Sequence, residues 1–303
     1  MPETIPSFQT LMLPVLRDAE AGEVRISETV ERLADSFGLS ADQRALRVPS
    51  GQQTVFGNRV TWAKSYLAKA GLIDLTRRAY FQVNDRGRAV LASAPDKIDL
   101  AFLRQFPEFR ISRSATGDTP LQNDENVGSE LTPDETIRRA RDQIEADLSL
   151  LLLSRIQSAS PAFFEGVVIR LLTAMGYGGS VADAGRALGQ SGDGGVDGVI
   201  DEDALGLDRI YVQAKRYRDG NAVGAGAIRD FFGALDQFKA SKGVFVTTSS
   251  FTAAARQTAE GLSKRIVLID GPQLAVLLIR FGVGCRVEET ISIKRLDEDF
   301  FES

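Results

Sequence analysis

The chain has 303 residues, of which 43% are hydrophobic and 25% are charged, and these proportions are ordinary for a globular protein with a sizeable core. Its formal net charge of −5 argues against a protein that coats nucleic acid over its whole surface, although it leaves room for local basic patches. A single cysteine excludes an internal disulfide. The sequence shows neither a secretory signal nor an apolar run long enough to span a bilayer, so we expect a cytoplasmic protein.

The composition contains no histidine, and this absence narrows the chemistry more than any other number. It excludes catalytic pairs of serine or cysteine with histidine, and it excludes zinc held by histidine. Any catalysis must therefore depend on carboxylates, lysine, hydroxyl groups and a hard divalent metal ion.

Residues 1–110 are predicted to form a winged helix-turn-helix domain. Helix-spaced apolar residues mark two helices, "SFQTLMLPVLRDAE" and "SETVERLADSFGLS", and Ser27 is the expected N-cap of the second. A third helix, "NRVTWAKSYLAKAGLI", is expected to end at Gly71. The segments "LIDLT" and "YFQV" then predict a hairpin, and a last helix follows with Asn84 as its cap.

The third helix and the hairpin of this domain carry several basic residues and few acidic ones. In a winged helix, such a helix enters the major groove and the wing contacts the backbone. Trp62 and Leu67 are expected to face the core. A solvated helix or a protein-binding winged helix is the alternative. The predicted contacts to double-stranded DNA are Asn58, Arg59, Lys64, Lys69, Arg77 and Arg78.

Residues 111–131 are predicted to be a linker, because this part of the chain is rich in Ser, Thr, Gly, Asn and Asp and poor in large apolar residues. The chain beyond it, 132–303, alternates helices with short apolar strands. It opens with a helix from Thr132, and a second helix begins at Ser160 and is stopped by Gly176. This alternation predicts an α/β domain with a mixed sheet flanked by helices.

One strand of this domain, "RIYVQAKRY", carries unexpected polar residues. Side chains alternate along a strand, so Gln213 and Lys215 point to one face while Val212 and Ala214 point to the other. A wetted edge strand is one explanation, and a catalytic face is the other.

Three acidic residues that precede that strand in the sequence bear on this choice. Asp197 begins the expected strand "VDGVID" after a glycine-rich loop that also contains Asp193, and both could be ordinary turn residues. Glu165 lies in a mostly apolar helix, where it could merely complement the helix dipole. Only their joint order is informative, because a helix glutamate, a glycine-flanked aspartate and a Gln-x-Lys strand resemble the PD-(D/E)XK nuclease core.

The chemistry of phosphodiester hydrolysis explains why these residue types would occur together. Carboxylates hold Mg²⁺, which neutralises the phosphate and makes its bound water more acidic, and a lysine can orient that water and offset charge in the transition state. Gln213 can offer a metal its carbonyl oxygen but brings no charge. The missing negative charge would then come from Glu165.

Five stretches of the second half resemble Mrr-type restriction proteins, in the order used by that family: "FEGVVIRLLTAMGYGG", "GDGGVDGVI", "YVQAKRY", "GVFVTTSSFT" and "VLIDGPQLAVLL". The segment "TVFGNRVTWAKSYLAKAGL" extends the resemblance to the N-terminal part. The resemblance implies a restriction-endonuclease-like fold and a Mg²⁺-dependent type IV endonuclease that restricts modified, chiefly methylated, DNA. It implies Asp197, Gln213 and Lys215 as the active site and Glu165 as the helix acid.

The predicted function is thus a metal-dependent DNA endonuclease. The alternatives are a non-catalytic winged-helix DNA-binding protein and a nuclease of the same fold that processes junctions or ends. Cutting both strands of a duplex requires two active sites, so we expect a homodimer or a larger homo-oligomer.

Overall fold

The computed structural model describes residues 5–49, 51–114, 130–178, 195–203, 205–218 and 220–294. Contacts divide the chain into two units whose boundary falls between Arg139 and Ala140, inside a long helix. The first unit therefore extends beyond the predicted domain limit at residue 110. Residues 115–129 of the predicted linker lie outside the described ranges, and its first residues, up to Ser114, form the end of a helix.

The first unit contains helices followed by a hairpin, as the sequence predicts. A three-stranded sheet in the order β1-β3-β2 joins the hairpin to a short strand that precedes the second helix, and both pairings are antiparallel. In chain order, its elements are α1 (Phe8–Asp18), β1 (Val24–Arg25), α2 (Ile26–Ser36), α3 (Ala41–Ala45), α4 (Val55–Lys69), β2 (Ile73–Arg77), β3 (Tyr80–Val83), α5 (Asp85–Ala92), α6 (Leu100–Leu103), α7 (Pro107–Ser114) and the start of α8 (Pro133–Ser158).

The predicted helix caps are partly confirmed. Asn84 caps α5 by accepting a hydrogen bond from the backbone N–H of Gly87, and α4 ends at Lys69, just before Gly71 with its positive φ of 67°. The prediction that Ser27 caps α2 is wrong, because the helix already begins at Ile26. Strand β1 leads directly into it, and the Ile26 N–H donates to the carbonyl oxygen of Ala79 in the hairpin turn.

The second unit is an α/β domain with a mixed sheet. Strand β5 pairs antiparallel with β4 and parallel with β6, and β6 pairs parallel with β7, which gives the order β4-β5-β6-β7 among the described residues. Besides the rest of α8, its elements are α9 (Pro161–Ala174), β4 (Gly198–Asp201), β5 (Arg209–Lys215), α10 (Ala225–Gln237), β6 (Lys242–Thr247), α11 (Ala253–Gly261), β7 (Arg265–Ile269) and α12 (Gly271–Arg280).

Apolar clusters cover both faces of this sheet. On one face, Val212 and Ala214 of β5 pack in a cluster with Phe164 of α9. On the other face, Tyr211 packs against a cluster that contains Phe231 of α10 and Phe245 of β6. Strand alternation then places Gln213 and Lys215 on the Tyr211 side.

A close contact between α10 and the sheet depends on Gly243 of β6. A Cβ at this position would lie 2.7 Å from the ring of Phe231, so we expect Gly243→Ala to destabilise the protein by about 1–3 kcal/mol through overpacking. Among the described residues, a Cβ added at Gly233 of α10 would have no atom from another element within 4 Å, and Gly233→Ala should stabilise by up to about 1 kcal/mol because alanine favours helix. Urea unfolding followed by circular dichroism measures both changes, and a stability loss in both variants would contradict this packing.

Within the ranges that the structure describes, no helix combines the length and the apolar character needed to cross a membrane.

Candidate active site

Gln213 and Lys215 lie at the carboxyl end of β5, an inner strand of the sheet. The edge-strand explanation for these polar residues is therefore wrong, because β4 and β6 flank β5 on both sides. Gln213 is 5% exposed, and Lys215 is half-buried. The Lys215 carbonyl oxygen accepts a hydrogen bond of 2.8 Å from the Thr247 hydroxyl on β6, which fixes the backbone from which the ammonium projects.

Asp197 lies beside this pair at the start of β4. The register pairs Gly198 with Val212, so one step back along the antiparallel ladder brings Asp197 opposite Gln213, on the same face. The Asp197 N–H donates to the Val212 carbonyl oxygen at 2.8 Å, and its carboxylate accepts from the Ala214 N–H at 2.8 Å. Both bonds hold the carboxylate at the end of the hairpin, next to Gln213 and Lys215.

Helix α9 brings Glu165 towards the same place. Ser160 caps this helix and Pro161 occupies its first turn, as predicted. One turn beyond Glu165, Ile169 packs over Gly198, where a Cβ would lie only 3.0 Å from the Ile169 side chain. Since residues four apart share a helix face, Glu165 points along the surface that leads to the start of β4.

The pKa of Glu165 shows that the acidic and basic groups are close together. Burial of the carboxyl group raises this pKa above its usual value, the negative charge of Asp197 raises it further, and the positive charge of Lys215 partly opposes both effects. The charges of the β4 aspartate and the β5 lysine thus act on the helix acid. The structure places Asp197 beside Gln213 and Lys215, and Glu165 within reach of the charges of Asp197 and Lys215.

The oxygen donors of this site suit a hard divalent cation. Glu165 and Asp197 offer carboxylates, and Gln213 offers an amide oxygen, which are the ligand types that Mg²⁺ accepts. No group of three or more carboxylate, histidine or cysteine residues that could hold a metal occurs among the described residues. Within the described part of the site, the Gln213 amide is the oxygen donor beside the two carboxylates. Asp193, the other aspartate of the glycine-rich loop, lies outside the described residues.

Sequence reasoning missed two residues that shape this site. Gly198 permits the close approach of α9, and a glycine inside a strand is a usual signal of such an approach. Arg216, which follows Lys215, donates to the carbonyl oxygen of Gln157 in the last turn of α8. The Gln157 amide in turn donates to the Thr248 carbonyl oxygen at 3.1 Å. These bonds fasten the corner between α8 and α9 to the ends of β5 and β6, and no local pattern indicates them.

The raised pKa of Glu165 predicts a stability gain when its charge is removed. At pH values above its folded-state pKa, ionised Glu165 destabilises the folded state, whereas the unfolded chain bears no such cost. Glu165→Gln should therefore stabilise the metal-free protein at neutral pH. The gain should vanish below the ordinary glutamate pKa, near 4.5, where the carboxyl is protonated in both states. Urea unfolding with a chelator at both pH values tests this sign, and a loss of stability at neutral pH would contradict it.

Comparisons with known proteins find matches for both parts of the chain. A restriction endonuclease family, Mrr_cat, matches residues 156–278, and the Mrr N-terminal domain family matches residues 8–93. The type IV methyl-directed restriction enzyme EcoKMrr of Escherichia coli (strain K12) is 35% identical over 315 residues, which cover 99% of this chain and 100% of that protein. The chain belongs to the Mrr family of restriction endonucleases.

A solved structure also matches, "MspJI Restriction Endonuclease in Complex with 27-mer Oligonucleotide", with 24% identity, a TM-score of 0.33 and coverage of 45% of this chain and 31% of that chain. The Mrr catalytic-domain match spans all four candidate residues from Glu165 to Lys215.

The predicted DNA contacts of the Mrr N-terminal domain fall into two groups. Lys69, Arg77 and Arg78 are exposed and Lys64 is half-buried. Arg77 pairs with Glu23 at 2.8 Å and stacks on the ring of Tyr80 at 3.7 Å. These four cations lie in α4 and at the hairpin, as the sequence predicts.

Asn58 and Arg59 are placed differently. Asn58 is 2% exposed and its amide donates to Asp134 at 3.2 Å, while Arg59 pairs with Glu135 at 2.9 Å. In this arrangement neither side chain is open to a duplex, because the first turn of α8 covers them.

Of the two predicted core residues, Leu67 is fully buried as expected, and Trp62 packs against the core while its indole N–H donates to Asp134.

Proposed function

We propose that this protein is a Mg²⁺-dependent endonuclease that cuts double-stranded, methylated DNA in the cytoplasm and so restricts foreign DNA. Support comes from the placement of Asp197 beside Gln213 and Lys215 and from the influence of the Asp197 and Lys215 charges on Glu165, in a domain of the Mrr restriction endonuclease family. The relative EcoKMrr is named as a methyl-directed restriction enzyme, which suggests methylated DNA as the substrate.

Each of the four residues has a distinct part in the proposed reaction. Asp197, Glu165 and the amide oxygen of Gln213 would hold the cation, and Mg²⁺ would supply charge neutralisation at the phosphate and a more acidic water. Lys215 orients the attacking water and offsets the charge that develops on the phosphate oxygens. Half-burial of the site strengthens these interactions, because the local dielectric is lower than that of water.

Binding of the duplex is assigned to the N-terminal unit. Lys64 and Lys69 of α4 and Arg77 and Arg78 of the hairpin supply the positive charge for the phosphates. Both strands of a duplex must be cut, so we propose that a homodimer or larger homo-oligomer is the active form.

A cleavage assay on paired plasmids tests the proposed function. Methylated and unmethylated plasmid, together with a branched duplex, would be incubated with the protein in the presence and absence of Mg²⁺. We expect cutting of the methylated plasmid only, and only with the metal. Cutting confined to the branched substrate would identify a junction nuclease, and binding without cutting on every substrate would identify a non-catalytic DNA-binding protein.

A further inference from the structure

Helix α4 has one apolar face and one polar face. The apolar face is buried in the core of the N-terminal unit through Phe56, Val60, Ala63 and Leu67. At 100° per residue, the opposite face is polar and consists of Asn58, Thr61, Ser65 and Lys69. Thr61, Ser65 and Lys69 retain solvent exposure, so this face points outward. Asn58 belongs to the outward face by position, and yet it is 2% exposed.

The turn that buries Asn58 comes from a distant part of the chain. Asp134, itself 6% exposed, accepts hydrogen bonds from the Asn58 amide at 3.2 Å and from the indole N–H of Trp62 at 2.7 Å. Thr132 and Arg138 donate to the same carboxylate at 2.8 Å and 2.7 Å. Residues 132–135 lie outside the range 8–93 that matches the Mrr N-terminal domain.

The electrostatics keep Asp134 ionised in this position. Burial alone would raise its pKa, but the hydrogen bonds from Thr132 and Trp62 and the charge of Arg138 outweigh burial, and the pKa is lowered. The group that covers Asn58 and Trp62 is therefore a carboxylate anion at neutral pH.

A second carboxylate of the same turn holds Arg59. The Nε of Arg59 donates to Glu135 at 2.9 Å, and the side chains of the pair are only 16% and 14% exposed. The other arm of the guanidinium donates to the carbonyl oxygens of Ile5 at 2.6 Å and Pro6 at 3.1 Å. Two neighbouring anions of α8 thus occupy the amide, the indole N–H and the guanidinium at the N-terminal end of α4.

Two of these donors, the amide and the guanidinium, are groups that proteins use on DNA. An asparagine amide pairs with adenine edges, an arginine guanidinium pairs with guanine edges or phosphates, and all of these DNA groups present acceptor oxygens or nitrogens, as carboxylates do. We propose that Asn58, Arg59 and Trp62 form a DNA-contact surface that the Thr132–Glu135 turn covers in the resting chain, and that DNA and this turn compete for it. The proposal rests on the proposed DNA-binding function of the N-terminal unit.

Competition predicts that removing the two carboxylates tightens DNA binding. If the covered state predominates, the apparent affinity is reduced by the fraction of open molecules, and couplings of this kind usually amount to about 5–150-fold. The full-length double variant Asp134→Ala/Glu135→Ala should therefore bind a duplex about 5–150-fold more tightly than the wild type, measured without metal so that no cutting occurs. Asn58→Ala added to this variant should remove part of the gain.

A matched variant separates competition from a general charge effect. Asp142→Ala/Glu145→Ala removes the same charge from solvent-accessible positions on the same helix, where the two carboxylates approach Arg141 at 3.9 Å and 3.1 Å. Its affinity should stay within about twofold of the wild type, since exposed charges are screened by salt. Equal tightening in both double variants, or no tightening in Asp134→Ala/Glu135→Ala, would overturn the proposal.

Tryptophan fluorescence tests the wild-type protein without relying on any variant. Trp62 is the single tryptophan of the chain, and its indole N–H is bonded to Asp134, so its selectively excited emission reports on this contact. Adding duplex DNA should change the emission of the wild type and of Asp142→Ala/Glu145→Ala. Hydrogen exchange at residues 132–136 should speed up at the same time. Slower or unchanged exchange on DNA binding would overturn the proposal.

Different binding results would contradict the competition between DNA and the turn and the DNA-binding function itself. If Lys69→Ala and Arg77→Ala weaken DNA binding but the Asp134→Ala/Glu135→Ala variant does not tighten it, the unit binds DNA and the turn merely anchors α8. If no duplex, methylated or not, binds the wild type or any variant, the DNA-binding function itself is wrong.

Discussion

Replacement of Lys215 by alanine is expected to reduce DNA cleavage by about 10²–10³-fold, the usual cost of removing one preorganised group that stabilises charge in a transition state. The Lys215 ammonium is half-buried at the end of β5, where its charge reaches Glu165. The proposed DNA-binding surface lies in a separate unit, so the affinity for a duplex should remain close to that of the wild type. Single-turnover cleavage and equilibrium binding of the same duplex measure the two effects.

Two further variants sharpen the Lys215 experiment. Lys215→Arg retains the charge but replaces a compact ammonium by a planar guanidinium, so we expect it to restore only a small part of the rate. Lys294→Ala removes one lysine charge from an exposed position and should cut at the wild-type rate. Undiminished cleavage by Lys215→Ala would refute the proposed site.

Asp197→Asn is expected to slow cleavage by about 10²–10³-fold or more at ordinary Mg²⁺ concentrations. Asparagine has nearly the same shape, and its carbonyl oxygen can still accept from the Ala214 N–H, so the hairpin should fold as before. The negative charge is lost, however, and Glu165 then remains as the one charged ligand among the proposed three. A metal ion contributes several kcal/mol to the stabilisation of the transition state, which corresponds to a rate loss of about 10²–10³-fold or more.

Metal titration identifies the cause of that loss. Asp201→Asn changes an aspartate at the other end of the same strand, where it pairs with Arg209 at 3.3 Å on the surface, and it should retain both cleavage and metal binding. Calorimetric titration should show weaker Mg²⁺ binding in Asp197→Asn alone. Tight metal binding by Asp197→Asn together with normal cutting would show that Asp197 is not a ligand.

The sequence alone indicated much of the catalytic domain. The order of a helix acid, a glycine-flanked aspartate and a Gln-x-Lys strand singled out the four residues of the candidate site. Strand alternation then placed Gln213 and Lys215 on one face, and the β4–β5 pairing confirms the predicted neighbouring strands. These features follow from local periodicity and from the few residue types that suit phosphodiester hydrolysis. A single sequence shows both the periodicity and these residue types.

Tertiary structure decided which charged and polar groups remain accessible to a binding partner. The sequence marks Asn58 and Arg59 as surface donors, but only folding shows that Asp134 and Glu135 reach them from more than seventy positions away. In the same way, nothing in the sequence around Arg216 indicates that its guanidinium donates a hydrogen bond to the last turn of α8. A hydrogen-bond partner depends on where distant segments meet, and helical or strand periodicity carries no information about that. The sequence by itself therefore determined the elements and the reactive groups of this protein, whereas the fold determined which of those groups face each other.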